Sequence, residues 1–141
     1  MTRIYWDSML FIYLMEDHPQ YASRLDTILG EMARRRHQLC TGALSLGETL
    51  VPYYRTENEK LAARVRSIIA PPQVEFLPFT PGAADRFARI RAAHNVTPAD
   101  AIHLATAAEA GVRLFLTNDR RLSKLAIDGI DFIAGLDVNI Y

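Results

Sequence analysis

Four acidic residues, Asp7, Glu48, Asp100 and Asp119, stand where a carboxylate could do chemistry. Asp7 closes the apolar run Ile4-Tyr5-Trp6. Glu48 lies on a helical stretch entered soon after the run from Gln38 to Thr41. Asp119 follows Leu114-Phe115-Leu116 in "LFLTNDRRL", and Asp100 heads "TPADAIHLATAAEAG". Carboxylates gathered at one place repel, and each raises the pKa of the others. A divalent cation resolves that conflict. Mg²⁺ and Mn²⁺ favour hard carboxylate oxygens, keep several waters and often bridge to phosphate. Zinc is not suggested, because His18, His37, His94 and His103 are scattered without matched spacing.

Each acid taken alone also reads as a helix cap. Asp7 can cap a first helix and Asp119 a last one. Ser45 with Glu48, and Thr97 with Asp100, each have the spacing of a capping box. Asp100 is read here as cap and ligand together. His103, one turn further on, reads as a partly buried helical histidine.

The elements that must position these acids follow from periodicity. Short apolar runs at Ile4–Trp6, Gln38–Thr41, Val74–Leu77 and Arg113–Leu116 predict strands, with a short final strand at Phe132-Ile133. Helical spacing predicts helices over Ser8–Glu16, Pro19–Arg36, Ser45–Tyr54, Glu57–Ile69, Pro81–His94 and Thr97–Gly111. A last helix is predicted over Asp119–Ala126. Pro71-Pro72 breaks the pattern between two of them. Strands separated by helices imply right-handed crossovers, hence an α/β fold. The expected form is three layers, α/β/α, around a mostly parallel sheet of four to five strands. In such sheets, function collects beyond the carboxyl ends of the strands.

Composition sets the outer bounds. The 141 residues fit one domain, 1–141. Half are hydrophobic, and 16 basic residues balance 16 acidic ones. No global field therefore draws the chain to nucleic acid or a membrane. No apolar run approaches a membrane span, and Asp7 interrupts the N-terminal one. Cys40 is the single cysteine and reads as buried packing, which suits a reducing cytoplasm.

The quoted motifs carry a resemblance. "IYWDSMLFIYL" resembles the opening strand and helix of a PIN domain. "LSLGETL", "TPADAIHLATA" and "FLTNDRRL" resemble its second, third and fourth acidic motifs, in matching order over nearly the whole chain. Small chains of this kind are similar to the VapC-type toxin of VapBC toxin–antitoxin pairs. The resemblance implies a Mg²⁺- or Mn²⁺-dependent ribonuclease, a homodimer, and neutralisation by a cognate antitoxin protein. It carries the catalytic and metal-binding roles onto Asp7, Glu48, Asp100 and Asp119. Ser8 and Thr117 match its supporting hydroxyl positions. Met9 departs from it, standing where many members carry Asn or Ser and where a polar contact orienting Asp7 is expected.

A metal held by carboxylates offsets the charge gained when a phosphodiester is attacked, and it acidifies a bound water. The RNA substrate must also be held. Arg120 and Arg121, beside Asp119, are the phosphate-contact candidates. Arg34–Arg36, and Arg86, Arg89 and Arg91, read as solvated helix faces. Met9, Phe11, Leu14, Leu50, Tyr53 and Tyr54 read mostly as core, with some available to an antitoxin groove. Two other readings remain at this stage: an inactive PIN-like scaffold that binds a protein or RNA partner, and a phosphoacceptor of response-regulator type. The second lacks an acidic neighbour for Asp7 and a Lys after a late strand.

Overall fold

The computed structural model describes residues 1–141. Its frame is one sheet of five parallel strands: β1 (Arg3–Trp6), β2 (Gln38–Gly42), β3 (Val74–Leu77), β4 (Leu114–Leu116) and β5 (Phe132–Ala134). Their spatial order is β3-β2-β1-β4-β5. The short apolar runs form strands because both faces of the sheet are covered, so alternate side chains all find apolar partners.

The strand period of two sorts the core into two halves. Ile4 and Trp6 of β1 and Leu114 and Leu116 of β4 point to one face. There they meet α1 (Ser8–Met15), α2 (Ala22–Arg35), α3 (Ala43–Arg55) and α4 (Glu59–Ile68) through Leu10, Phe11, Leu25, Ile28, Leu50 and Val65. Tyr5, Cys40 and Phe115 point to the other face. They meet α5 (Pro81–Ala93) and α6 (Pro98–Ala110), and the Tyr5 and Phe115 rings stack with centroids 5.0 Å apart. Burial pushes the Cys40 thiol up to about 12, so it is inert packing as expected.

The three-layer expectation holds, and several boundaries differ for local reasons. The second helix begins at Ala22, not Pro19, because the His18 ring nitrogen captures the backbone N–H of Gln20 and Tyr21 in a turn. The expected Ser45–Glu48 capping box does not form. The helix starts earlier, with Gly42 as its N-cap, and the Ser45 hydroxyl is buried against Thr41 Oγ1 at 2.7 Å. The last helix shrinks to α7 (Arg120–Ser123), since the chain must turn to bury Ile127 and Ile130. The single apolar stripe expected on α6 is too narrow. Ala101, His103, Leu104, Ala105, Thr106, Ala107 and Ala108 are all buried, as befits a central helix wrapped on most sides.

The sequence of connections creates the place where function can sit. From β1 the chain moves outward to β2 and β3, then returns to β4 on the other side of β1. Successive connections therefore diverge between β1 and β4, leaving a crevice at their carboxyl ends. Asp7 follows β1 and Thr117 follows β4 at that crevice.

Candidate active site

Asp7 is held from several directions at once. As N-cap of α1 it accepts from Met9 N at 3.0 Å, through Oδ1, which also lies 3.5 Å from Ser8 Oγ. Its Oδ2 accepts from Thr117 Oγ1 at 2.6 Å. Asp7 is only 7% exposed, so these donors replace much of its water. The polar contact missing at Met9 therefore does not leave Asp7 loose. The backbone of Met9 and the hydroxyl of Thr117 orient the carboxylate, while the Met9 side chain faces solvent.

Thr117 is fully buried and links two acids. Its hydroxyl donates to Asp7 and accepts from the backbone N–H of Asp119 at 3.1 Å. Asp119 caps α7, and Arg121 grips it with Nε 3.3 Å from Oδ1 and Nη2 3.0 Å from Oδ2. That guanidinium holds the Asp119 carboxyl below its ordinary value.

Asp100 reaches the same crevice from α6. The Thr97 hydroxyl caps that helix by accepting from Asp100 N at 3.2 Å. The reciprocal bond of a capping box, from the Asp100 carboxylate back to the Thr97 backbone N–H, is not made, although the Thr97 side chain does bond the carboxylate. Its pKa is raised, chiefly by burial, with the charges of Asp7 and Asp119 adding to the shift.

Glu48, on α3, is half-buried. Its Oε1 lies 2.6 Å from His103 Nε2. That bond, with help from the Ser8 hydroxyl, lowers its pKa despite burial. Ser8 thus stands between Asp7 and Glu48. His103 is 3% exposed and reaches Tyr5 OH with Nδ1 at 2.6 Å. From the sequence His103 reads as a partly buried helical histidine, without a link to Glu48. The signal available was its place three residues after Asp100, on the same helix face.

Hydroxyls and charge link these acids: Thr117 joins Asp7 to Asp119, Ser8 stands between Asp7 and Glu48, and the charges of Asp7 and Asp119 bear on Asp100. No three His, Cys, Asp or Glu side chains close into a ready-made metal cage. Two cavities flank the cluster. One of about 880 Å³ lies along β5 and the C-terminal segment and meets the acids only at Asp119, beside Arg120 and Lys124. The other, about 590 Å³, is bordered by Asp100, Arg121 and Arg91. The remaining arginine runs are largely spoken for. Arg34 and Arg35 pair with Glu31, Arg86 with Glu109 and Arg89 with Asp85. No helix is long and apolar enough to cross a membrane.

An α/β/α domain with acids gathered at the switch point of a parallel sheet defines a recognisable class of protein. The PIN domain family model matches residues 4–128, and the chain belongs to that family. Its fold is shared with VapBC2 from Rickettsia felis bound to a promoter DNA fragment, at 12% identity and a TM-score of 0.75. That match covers 95% of this chain and 98% of the other. It is also similar to DNA-bound VapBC from Salmonella typhimurium (20% identity, TM-score 0.69, 96% and 99% covered). A third is VapBC-5 from Mycobacterium tuberculosis, a toxin–antitoxin member (20% identity, TM-score 0.62, 94% and 98% covered). No curated protein matches the sequence.

Proposed function

We propose that this chain is a single-domain, metal-dependent endoribonuclease acting in the cytoplasm as the VapC-type toxin of a toxin–antitoxin pair. What supports the reading is the linkage among three acids: Thr117 ties Asp7 to Asp119, and the charges of both bear on Asp100. Three carboxylates in one place call for a counter-charge. Their all-oxygen chemistry fits Mg²⁺ or Mn²⁺ and not zinc.

Asp7, Asp100 and Asp119 would hold the cation, with Glu48 binding it directly or through water. When bound, such an ion polarises a phosphodiester and acidifies a water. The chain does the rest. Thr117, Ser8 and the Met9 backbone hold both oxygens of Asp7 and so fix the plane of its carboxylate. Arg121 pairs with Asp119 and would compete with a bound cation for it. Arg120, exposed and outside any ion pair, would take an RNA phosphate.

The antitoxin reading rests on a different surface. Met9, Val51 and Tyr54 are 42%, 42% and 51% exposed on α1 and α3, which pack together. Phe11 and Leu50 lie buried beneath as core. This exposed apolar patch suits an antitoxin segment or the second copy of a homodimer. The VapBC character of similar folds supports the antitoxin.

The test is cleavage of a mixed RNA pool by purified protein in Mn²⁺, Mg²⁺ or EDTA, alongside Asp100→Asn. Metal-dependent cutting by the parent, lost in a folded variant, is the expected result. A parent that neither cuts nor binds Mn²⁺ by calorimetry would leave an inactive scaffold.

A further inference from the structure

Behind Glu48 runs a buried chain of hydrogen bonds that the acid cluster itself does not require. The backbone N–H of Gly42 donates to Tyr5 OH at 3.1 Å. Tyr5 OH lies 2.6 Å from His103 Nδ1, and His103 Nε2 lies 2.6 Å from Glu48 Oε1. Tyr5 is fully buried and His103 nearly so, whereas the Glu48 side chain is 34% exposed. The chain therefore begins in the core and ends on a carboxylate at the crevice.

The acceptor-only end fixes its direction. A carboxylate oxygen of Glu48 accepts, so the hydrogen in its 2.6 Å contact sits on His103 Nε2. The Tyr5 hydroxyl, which accepts from Gly42, meets the ring at Nδ1 and has the Thr41 hydroxyl as a further partner. The backbone is shaped to allow it. A Cβ at Gly42 would stand 3.2 Å from the Tyr5 hydroxyl, closer than such contacts normally come. Glycine leaves the hydroxyl room to reach the N–H.

We propose that His103 is a positioning residue, bracketed by the Tyr5 hydroxyl at Nδ1 and donating from Nε2 to Glu48, so that it aims that carboxylate at the other acids. A buried histidine needs hydrogen bonds in any case. Here it spends one of them on a half-exposed acid from another helix, and that fixes a side chain which would otherwise sample several rotamers. The proposal rests on the nuclease reading for its purpose, but its geometry can be tested separately.

The first experiment is a long-range ¹H–¹⁵N spectrum of the full chain at neutral pH. The expected parent signature for His103 is a hydrogen on Nε2, the atom that faces Glu48. A parent ring protonated at Nδ1 alone overturns the proposal. The second experiment measures Mn²⁺ affinity of metal-free protein by calorimetry. His103→Leu is expected to weaken it roughly tenfold or more, and His103→Gln, whose amide can still donate to Glu48, to restore most of it. A folded His103→Leu that binds Mn²⁺ like the parent overturns the positioning role. Should the leucine variant not fold, the spectrum decides. A parent that binds no Mn²⁺ and cuts no RNA sinks the nuclease reading instead, and the spectrum still decides whether the relay exists.

Discussion

Thr117 Oγ1 lies 2.6 Å from Asp7 Oδ2 while accepting from the backbone N–H of Asp119 at 3.1 Å. One buried hydroxyl thus sets the relation between the acid that ends β1 and the acid that follows β4. Thr117→Val keeps the shape and removes both bonds. It leaves the Asp119 N–H unpaired and Asp7 one donor short. Urea unfolding should show a loss of about 1–3 kcal/mol. Unaltered stability would mean that water replaces the hydroxyl without cost.

Asp100→Asn should separate stability from function. The folded carboxyl binds its proton more tightly than an ordinary aspartate. At neutral pH the ionised form therefore opposes folding, and that penalty fades as pH falls through the raised value toward the unfolded one. Asparagine removes the penalty, so the melting temperature at pH 7 should rise. RNA cleavage should fall about a hundredfold or more, equivalent to roughly 3 kcal/mol of transition-state stabilisation. A variant that melts lower would place Asp100 as a structural residue.

The same shift sets a pH limit on metal binding. A metal competes with the proton for Asp100. Mn²⁺ affinity should thus decline with acidity earlier than for a site of unperturbed aspartates. Calorimetric titrations from pH 7 downward would reveal this; a flat profile to the ordinary carboxylate range would contradict it.

Arg121→Ala tests the grip on Asp119. The lowered Asp119 value contributes stability above the unfolded pKa, and this is lost as pH falls through the folded one. The guanidinium side of the pair is 79% exposed, so solvent screens that contribution to a small one. Mn²⁺ affinity is the sharper readout. It should rise severalfold when the competing cation is removed, and an unchanged value would show that Arg121 and the metal do not share Asp119.

RNA binding by a chain of zero formal net charge should depend modestly on salt. Arg120, Arg121 and Lys124 offer three phosphate contacts. The slope of log affinity against log salt should then be roughly −2 for single-stranded RNA. Arg120→Ala should lower its magnitude by about 0.7. A slope steeper by several units would mean that a larger basic surface is engaged.

The sequence by itself determined the strands, the crossovers and the four acids. Apolar runs such as Ile4–Trp6 and Leu114–Leu116 are long enough for buried strands and too short for helices. Thr97 announces its helix because capping is a local bond within three residues. Asp7 and Asp119 were legible as caps for the same reason, and both do cap. Local signals failed where distant residues compete for a group. Ser45 reads as a cap, yet Thr41 takes its hydroxyl into the core. Asp100 reads as half of a capping box, yet its carboxylate returns no bond to the Thr97 backbone N–H. The helix after Asp119 reads as longer, yet Ile127 and Ile130 are drawn into the core. Only the tertiary structure decided that Thr117 joins Asp7 to Asp119, and that His103 links Tyr5 to Glu48 across 98 and 55 residues of chain. Such pairings depend on strand order and helix packing, which no local pattern encodes. They arise when β1 and β4 lie side by side and α6 settles across the sheet beneath them.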